Sequence, residues 1–138
     1  MKTIISAALL FSSLAMAADA PAFVLGGDVA KGKEKYATVC ASCHGPEGKG
    51  DGAAAKALNP QPANFTDPAN AARLTDEWVY KMIRDGGAAN GKSPLMVAWK
   101  NSFKDDEIRN MAAYVRSLVY VAPAPAPAKG KPGKKAAK

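Results

Sequence analysis

The sequence predicts a single small all-α domain, and two observations carry this prediction. Apolar residues recur at helical spacing in several stretches that begin at capping residues or end at glycine or proline, and no stretch alternates as a strand would. Between two low-complexity ends lie about a hundred residues, enough for one domain with a thin core. A bound group that offers apolar surface would support such a core.

The first predicted helix runs from Asp28 to Val39, and Asp28 is a good N-cap. Its apolar face comprises, at helical spacing, Val29, Gly32, Tyr36 and Val39. A glycine inside a helix costs roughly 1 kcal/mol relative to alanine. Gly32 therefore indicates close approach by another helix, with a merely tolerated glycine as the alternative.

Two further helices are predicted in the middle of the chain. The alanine-rich stretch from Gly52 to Leu58 favours a short helix, which the prolines of the following Asn-Pro-Gln-Pro segment must end. The next helix begins at Thr75, an N-cap followed by two acidic residues that suit the positive end of a helix, and closes at Gly86 and Gly87. Its predicted core residues are Trp78, Met82 and Ile83.

The last predicted helix has the clearest pattern. Its first turn holds the acidic residues Asp105, Asp106 and Glu107, which complement the helix dipole. One face carries, at helical spacing, Ile108, Met111, Ala112, Val115, Leu118 and Val119. Tyr114 lies beside this face, in a position to pack toward a crossing helix such as the one that bears Gly32 and Tyr36.

The end of the first helix carries the most specific motif of the chain, Cys40-Ala41-Ser42-Cys43-His44. Two cysteines three residues apart, with a histidine directly after them, indicate covalent attachment of a c-type haem. One turn of backbone places both sulfurs beside one porphyrin edge, and the imidazole of His44 reaches the iron.

Other interpretations of the motif fit less well. A thioredoxin-like redox pair expects a βαβ context that the surrounding sequence lacks, and a zinc site needs at least four ligands. Cys40, Cys43 and His44 are the only cysteines and the only histidine of the chain, so a fourth such ligand is missing. A structural disulfide and a metal site remain as the alternatives.

The two ends of the chain are set apart from the predicted domain, residues 18–121. Residues 1–17 have the pattern of a secretory signal peptide, with a lysine at position 2, an apolar run over residues 4–16 and an Ala-x-Ala cleavage sequence that ends at Ala17. We therefore expect export and cleavage, with a weaker second cleavage choice after Ala20. An uncleaved amphipathic anchor is the alternative, and the run is too short to be a spanning helix.

Residues 122–138 contain only alanine, proline, glycine and lysine, so we expect a disordered tail. The tail holds five of the 19 basic residues and none of the 12 acidic ones, so it supplies most of the formal net charge of +7. A nucleic-acid interface is not indicated, because basic and aromatic residues do not cluster on the predicted fold. The tail is either a solvated end without a specific role or a flexible tether to an acidic partner or anionic membrane surface.

An iron bound by one histidine has an open sixth position, and a methionine is the candidate ligand because the chain has no second histidine. Met1 and Met16 fall in the predicted signal peptide, whereas Met82 and Met111 stand at core positions of helices. Met96 lies in a loop that follows glycine and proline, so its side chain is free to turn inward. We predict Met96 as the sixth ligand of the iron.

Three stretches together resemble one protein family. The Cys-Ala-Ser-Cys-His motif, the Ser-Pro-Leu-Met-Val-Ala-Trp loop and the closing acidic-start helix resemble the small soluble class I c-type cytochromes, the monohaem electron carriers of bacterial periplasms. The resemblance covers nearly the whole predicted domain. It implies a cytochrome c fold, in which the N- and C-terminal helices cross and the haem lies in a crevice between loops.

The resemblance also implies the roles of site residues. Thioether bonds fall to Cys40 and Cys43, and iron ligation to His44 and Met96. A backbone carbonyl, often from a proline-containing loop, is expected to fix the other nitrogen of the histidine, and Pro60 or Pro62 is the candidate. Two positions depart from the pattern, since Val97 stands where many relatives have proline and Lys104 where a serine or threonine cap is expected.

The implied function is outer-sphere transfer of one electron between redox proteins, without catalysis, with one covalent haem c and its iron as cofactor. Partners would dock at the exposed haem edge, which Lys49, Lys56, Lys92 and Lys100 could surround, although scattered solvated lysines are the simpler interpretation. One alternative is a haem with a labile or absent sixth ligand that binds small molecules or reduces peroxide, for which Asn90 and Ser93 are poor acid–base groups. Another is a soluble haem subunit of a larger oxidoreductase complex.

Overall fold

The computed structural model describes residues 23–119. The predicted signal peptide, the two ends of the predicted domain and the lysine-rich tail lie outside the described residues. The helices are α1 (Val29–Val39), α2 (Ala41–His44), α3 (Pro68–Ala71), α4 (Asp76–Ala89) and α5 (Asp105–Leu118), with one 3-10 turn at Ala55–Ala57. Residues 23–119 contain no strand, so the all-α prediction is confirmed.

Helix α1 begins where its capping residue predicts. The side chain of Asp28 accepts hydrogen bonds from the backbone N–H groups of Ala30 and Lys31, at 2.9 and 3.1 Å. These bonds satisfy two donors that the first turn of a helix leaves free. At the start of α5 the carboxylate of Glu107 accepts from the backbone N–H of Lys104 at 3.0 Å, which supports the helix although Lys104 is an unusual cap.

Helices α1 and α5 cross in backbone contact at Gly32. A Cβ atom at this position would lie 1.9 Å from the carbonyl oxygen of Asn110 and 3.0 Å from the Cβ of Tyr114. One turn farther along α1, the ring of Tyr36 meets the ring of Tyr114 edge-on, with 5.0 Å between centroids. The close approach predicted at Gly32 is confirmed, and so is the packing of Tyr114 toward α1.

The core lies where α4 and α5 pack together beside this crossing. Its α5 members are Ile108, Met111, Ala112, Tyr114 and Val115, and its α4 members are Val79, Tyr80 and Ile83. Arg116 of α5 fastens the start of α4, because its Nε donates to Asp76 at 2.6 Å and its guanidinium also donates to the carbonyl of Leu74. None of the described helices is long and apolar enough to cross a membrane.

Two predicted core residues of α4 are not fully buried. Trp78 and Met82 are half-buried and line a cavity, although Trp78 also packs against the core, and Ile83 is buried in the core as predicted. The helical spacing of the sequence is correct, but the face that bears Trp78 and Met82 meets the cavity and not another helix.

The middle of the chain differs from the prediction in two places. The helix expected from Gly52 to Leu58 is reduced to one 3-10 turn, because the N–H groups of Gly52 and Ala54 donate to the carbonyls of Cys43 and Ser42, at 3.2 and 2.9 Å. Helix α3 was not predicted, although its cap Asp67 and the following proline form a common helix-start pattern.

Candidate haem site

A single turn, α2, presents the Cys-Ala-Ser-Cys-His motif. The N–H of His44 donates to the carbonyl of Cys40 at 2.9 Å, and this turn brings Cys40, Cys43 and His44 to the same cavity. The hydroxyl of Tyr36 donates to the carbonyl of Gly45 at 2.7 Å, so α1 also holds the residue that follows the motif. The turn is therefore fixed at both of its ends.

The thiols of Cys40 and Cys43 are free in this structure and are not joined in the disulfide that was one alternative for the motif. Cys40 is buried and Cys43 is half-buried. Burial, with a smaller contribution from neighbouring Cys43, raises the pKa of the Cys40 thiol to about 12, so this group is protonated at neutral pH.

The cavity in which the motif lies has a volume of about 540 Å³. Its walls come from the end of α1, from α2, from the loop of residues 58–65, from α4 and from the loop of residues 92–99. The structure brings all four sequence-predicted site residues to this one cavity, namely Cys40, Cys43, His44 and Met96.

His44 is held by one carbonyl and one aromatic ring. Its Nδ1 lies 3.4 Å from the carbonyl oxygen of Ala63, and its ring stacks on Phe65 with 4.8 Å between centroids. Burial lowers the pKa of His44, only partly offset by the Ala63 carbonyl, so the imidazole is neutral at neutral pH. With the Nδ1 proton directed to Ala63, the lone pair of Nε2 is available to a metal.

The backbone partner of His44 corrects the prediction made from the sequence. The expected carbonyl belonged to Pro60 or Pro62, whereas the observed one belongs to Ala63, directly after Pro62. Both prolines line the cavity, so the predicted loop does supply the carbonyl, but from the residue that follows Pro62. Cavity-lining loops can offer several carbonyls, and sequence alone does not distinguish among adjacent ones.

Met96 is half-buried, and its loop is joined to α4 by the backbone. The N–H of Gly87 donates to the carbonyl of Met96 at 2.7 Å, and the N–H of Trp99 donates to the carbonyl of Ile83 at 3.1 Å. The flanking side chains of Leu95 and Val97 are 55% and 52% exposed, so they contribute little to holding the loop. Met82 of α4 lines the same cavity and offers a second thioether, which the sequence analysis had assigned to the core.

Among residues 23–119, two cationic side chains, Arg73 and Lys92, border the cavity, and no carboxylate does. Of the four lysines considered from the sequence, only Lys92 takes part in the lining. Lys49 and Lys100 are paired with Glu47 and Asp85.

Arg73 was not singled out from the sequence. Its guanidinium donates to the side chain of Asn70 at 2.6 Å, and its proximity to the cavity depends on how α3 is placed. A lone arginine beside a short helix carries no local pattern that would have marked it.

These residues fit a haem. A largely apolar wall suits the faces of the ring, two free thiols suit thioether bonds, and an imidazole with a thioether suits its iron. Haem also bears two carboxylates, and the cavity offers cations and no acidic side chain.

Comparison with known proteins settles the family. The sequence profile described as "Cytochrome c" matches residues 29–119. The chain belongs to the cytochrome c family. It therefore carries covalently bound haem c with its iron, and its helical architecture is the cytochrome c fold.

Individual relatives of this cytochrome c are of two kinds. It is 31% identical over 91 residues to cytochrome c-554(548) of Halomonas halodenitrificans, in an alignment that covers 66% of this chain and 96% of that protein. It is 37% identical over 91 residues to the CcoP subunit of the cbb3-type cytochrome c oxidase of Rubrivivax gelatinosus, covering 63% of this chain. The match covers only 25% of that CcoP subunit.

Among solved structures, this cytochrome c is similar to a chain of the reducing HAO-like protein complex of Kuenenia stuttgartiensis. The TM-score is 0.55 at 28% sequence identity, and the match covers 78% of this chain and 51% of that one. The comparisons thus include proteins named as a cytochrome and proteins named as parts of larger complexes.

Proposed function

We propose that this cytochrome c is an exported one-electron carrier of the periplasm, whose haem is held by Cys40, Cys43, His44 and Met96. The observation that carries the proposal is the meeting of an imidazole and a thioether, from distant parts of the chain, at the cavity that also holds both thiols. The proposal includes cleavage of residues 1–17 and a haem domain over residues 18–121.

The cofactor, when bound, supplies an iron that gains or loses one electron. Cys40 and Cys43 tie it to the chain, so it does not dissociate between partners. The neutral imidazole of His44 is oriented by the Ala63 carbonyl, and the thioether of Met96 would occupy the iron position that is otherwise open to small molecules. A soft thioether ligand and apolar walls favour the ferrous state, so we expect a positive midpoint potential.

The rim of the cavity suggests how a redox partner docks. Leu95 and Val97 are exposed beside Met96, and the cations Arg73 and Lys92 border the same cavity. A partner with acidic side chains around a small apolar centre fits this rim through a small, weak interface suited to rapid exchange.

The test of the proposal is the weak sulfur-to-iron charge-transfer band in the optical spectrum of the oxidised holoprotein. We expect the band in the wild type and its loss in Met96→Ala. The matched control is Met82→Ala, which removes the other thioether of the cavity and is expected to keep the band. Loss of the band in Met82→Ala alone would assign the sixth position to Met82, and its absence from the wild type would contradict methionine ligation.

A second candidate function is that of a haem subunit within a larger oxidoreductase complex. The 37% identity to a CcoP subunit of a cbb3-type oxidase supports it. The two functions differ in the mass of the native species. Gel filtration of a periplasmic extract, followed by haem staining, places a free carrier near the mass of the chain and a subunit at a much larger mass.

A further inference from the structure

We infer that Gly86 and Gly87 form a seat that positions Met96, so that both glycines act on the iron through this ligand. The inference rests on the proposed ligation by Met96. It goes beyond it by naming what holds the thioether in place, since the cavity contains a second thioether on Met82.

The seat begins with a break in α4. Gly86 has φ 77° and ψ 174°, a conformation outside the helix that favours glycine. In a continuous helix the N–H of Gly87 would donate to Ile83. Here it donates to the carbonyl of Met96 at 2.7 Å, and the carbonyl of Ile83 accepts from the N–H of Trp99 at 3.1 Å. The break therefore exchanges helical hydrogen bonds for bonds to the ligand loop, the loop of residues 92–100 that bears Met96.

Further bonds extend the seat on either side. The N–H of Lys100 donates to the carbonyl of Arg84 at 3.1 Å, and the N–H of Lys92 donates to the carbonyl of Gly87 at 2.8 Å. The side-chain amide of Asn90 donates to the carbonyl of Gly86 at 2.7 Å, which holds the break itself. The loop is thus bonded to α4 before and after Met96.

The two glycines are also required by space. A Cβ at Gly87 would lie 2.0 Å from the carbonyl oxygen of Ser93, and a Cβ at Gly86 would lie 2.9 Å from that of Met96. Both obstacles are backbone atoms of the ligand loop, which cannot turn aside as a side chain can. A methyl group at Gly87 must therefore move the loop that bears Met96.

The experiment compares the wild type with Gly87→Ala as oxidised holoproteins titrated with imidazole, which competes with a methionine for the iron. Overpacking of this kind destabilises the arrangement that it distorts. We expect Gly87→Ala to bind imidazole on the order of tenfold more tightly, equivalent to about 1.4 kcal/mol, and to weaken the sulfur-to-iron band.

The matched control is Gly91→Ala. Gly91 has φ +67° with nothing within 4 Å of an added Cβ, whereas Gly87 has no positive φ but a close contact. Gly91→Ala therefore strains the backbone without pushing the ligand loop, and we expect lower stability with an unchanged band and unchanged imidazole affinity. Should Gly87→Ala fail to fold, Asn90→Ala removes the donor to Gly86 without adding an atom, and a smaller rise in imidazole affinity is expected.

The outcomes separate the seat from the ligand. Suppose that the wild type shows the band, that Met96→Ala loses it, and that Gly87→Ala binds imidazole with wild-type affinity. This result overturns the seat and leaves the proposed function intact. If Gly87→Ala does not fold, wild-type imidazole affinity in Asn90→Ala has the same meaning. Equal increases in Gly87→Ala and Gly91→Ala also overturn the seat, because general strain would explain both. A wild type without the band overturns methionine ligation and the seat with it.

Discussion

The side chain of His44, the proposed iron ligand, is oriented by a small number of contacts. Burial keeps the imidazole neutral by lowering its pKa, the carbonyl of Ala63 lies 3.4 Å from Nδ1, and the ring of Phe65 fixes the plane by stacking. The first effect provides a free lone pair, and the other two limit rotation of the ring. A ligand that is already oriented changes little when the iron changes its charge.

Arg73 provides a test of electrostatics at the scale of one residue. Removal of its positive charge in Arg73→Gln destabilises the reduced state relative to the oxidised one, so the midpoint potential should fall. Because the side chain is exposed, we expect the midpoint potential to fall by roughly 10–40 mV, which corresponds to about 0.2–1 kcal/mol for one electron. Redox titration at low and high salt measures the shift, which should shrink as salt screens the charge.

The control for this charge is Lys33→Gln, on an exposed position of α1 that does not line the cavity. We expect no measurable shift of its midpoint. A rise of the midpoint in Arg73→Gln, or equal falls in both variants, would contradict an effect of Arg73 on the cofactor.

At the scale of the elements, the contact between α1 and α5 depends on the absence of one side chain. Helix propensity alone predicts that Gly32→Ala stabilises the protein by about 1 kcal/mol. Because the new Cβ would lie 1.9 Å from the Asn110 carbonyl, we expect instead a loss of about 1–3 kcal/mol in the free energy of unfolding.

Chemical denaturation measures this loss, with Lys33→Ala on the exposed side of α1 as the control, expected to change stability by no more than about 0.5 kcal/mol. A Gly32→Ala variant more stable than the wild type would mean that the two helices can separate at no cost.

The elements that sequence predicts well are those whose determinants are local. Asp28, Thr75 and the acidic turn of α5 mark helix starts within a few residues, and the structure begins α1, α4 and α5 there. The helix predicted from Gly52 to Leu58 was wrong, because N–H groups of this stretch donate to carbonyls of α2. Such tertiary hydrogen bonds cannot be read from alanine content.

The candidate site divides in the same way. The Cys40–His44 motif is contiguous, and the meeting of Met96 with it is the arrangement that the loop composition suggested. The Ala63 carbonyl, the cavity-facing position of Met82 and the approach of Arg73 depend on how distant segments are placed. No periodicity or spacing along the chain carries that information.

At the scale of the whole molecule, ion pairs join elements that are distant along the chain. Lys35 of α1 pairs with Glu107 of α5 at 2.9 Å, and Lys100 of the ligand loop pairs with Asp85 of α4 at 3.3 Å. The cavity lies between the helices and the loops of residues 58–65 and 92–99, and none of these four charged residues lines it. Bound haem fills the space that side chains leave open, which adds apolar contact to a small domain.

These links predict loss of stability in acid. Hydrogen bonding to Arg84, and then to Lys100, lowers the pKa of Asp85 below its ordinary value of 3.8. A carboxylate with a lowered folded-state pKa stabilises the fold fully above its unfolded value, and this contribution is lost as the pH falls through the folded value. We expect the contribution of Asp85 to the free energy of unfolding to be level near pH 6 and to decline below about pH 4.

Denaturation curves of the wild type and Asp85→Asn, taken across this range of pH, measure the contribution of the one carboxylate. The variant should be less stable near pH 6 and should lose less stability in acid. Parallel declines in the two proteins would show that Asp85 does not contribute to the acid sensitivity.

The contact between α1 and α5 closes a long loop of the chain, and the entropy of this closure depends on the length of the loop. The N–H of Asp28 and the side chain of Asn110 lie 2.6 Å apart although 82 positions separate them, so the chain between them is a closed ring. The entropy of ring closure grows only with the logarithm of length, and a doubling costs about 0.6 kcal/mol. Surface turns of the ring that lie away from the cavity can therefore change in length cheaply, while the helix faces that close the ring cannot change in shape.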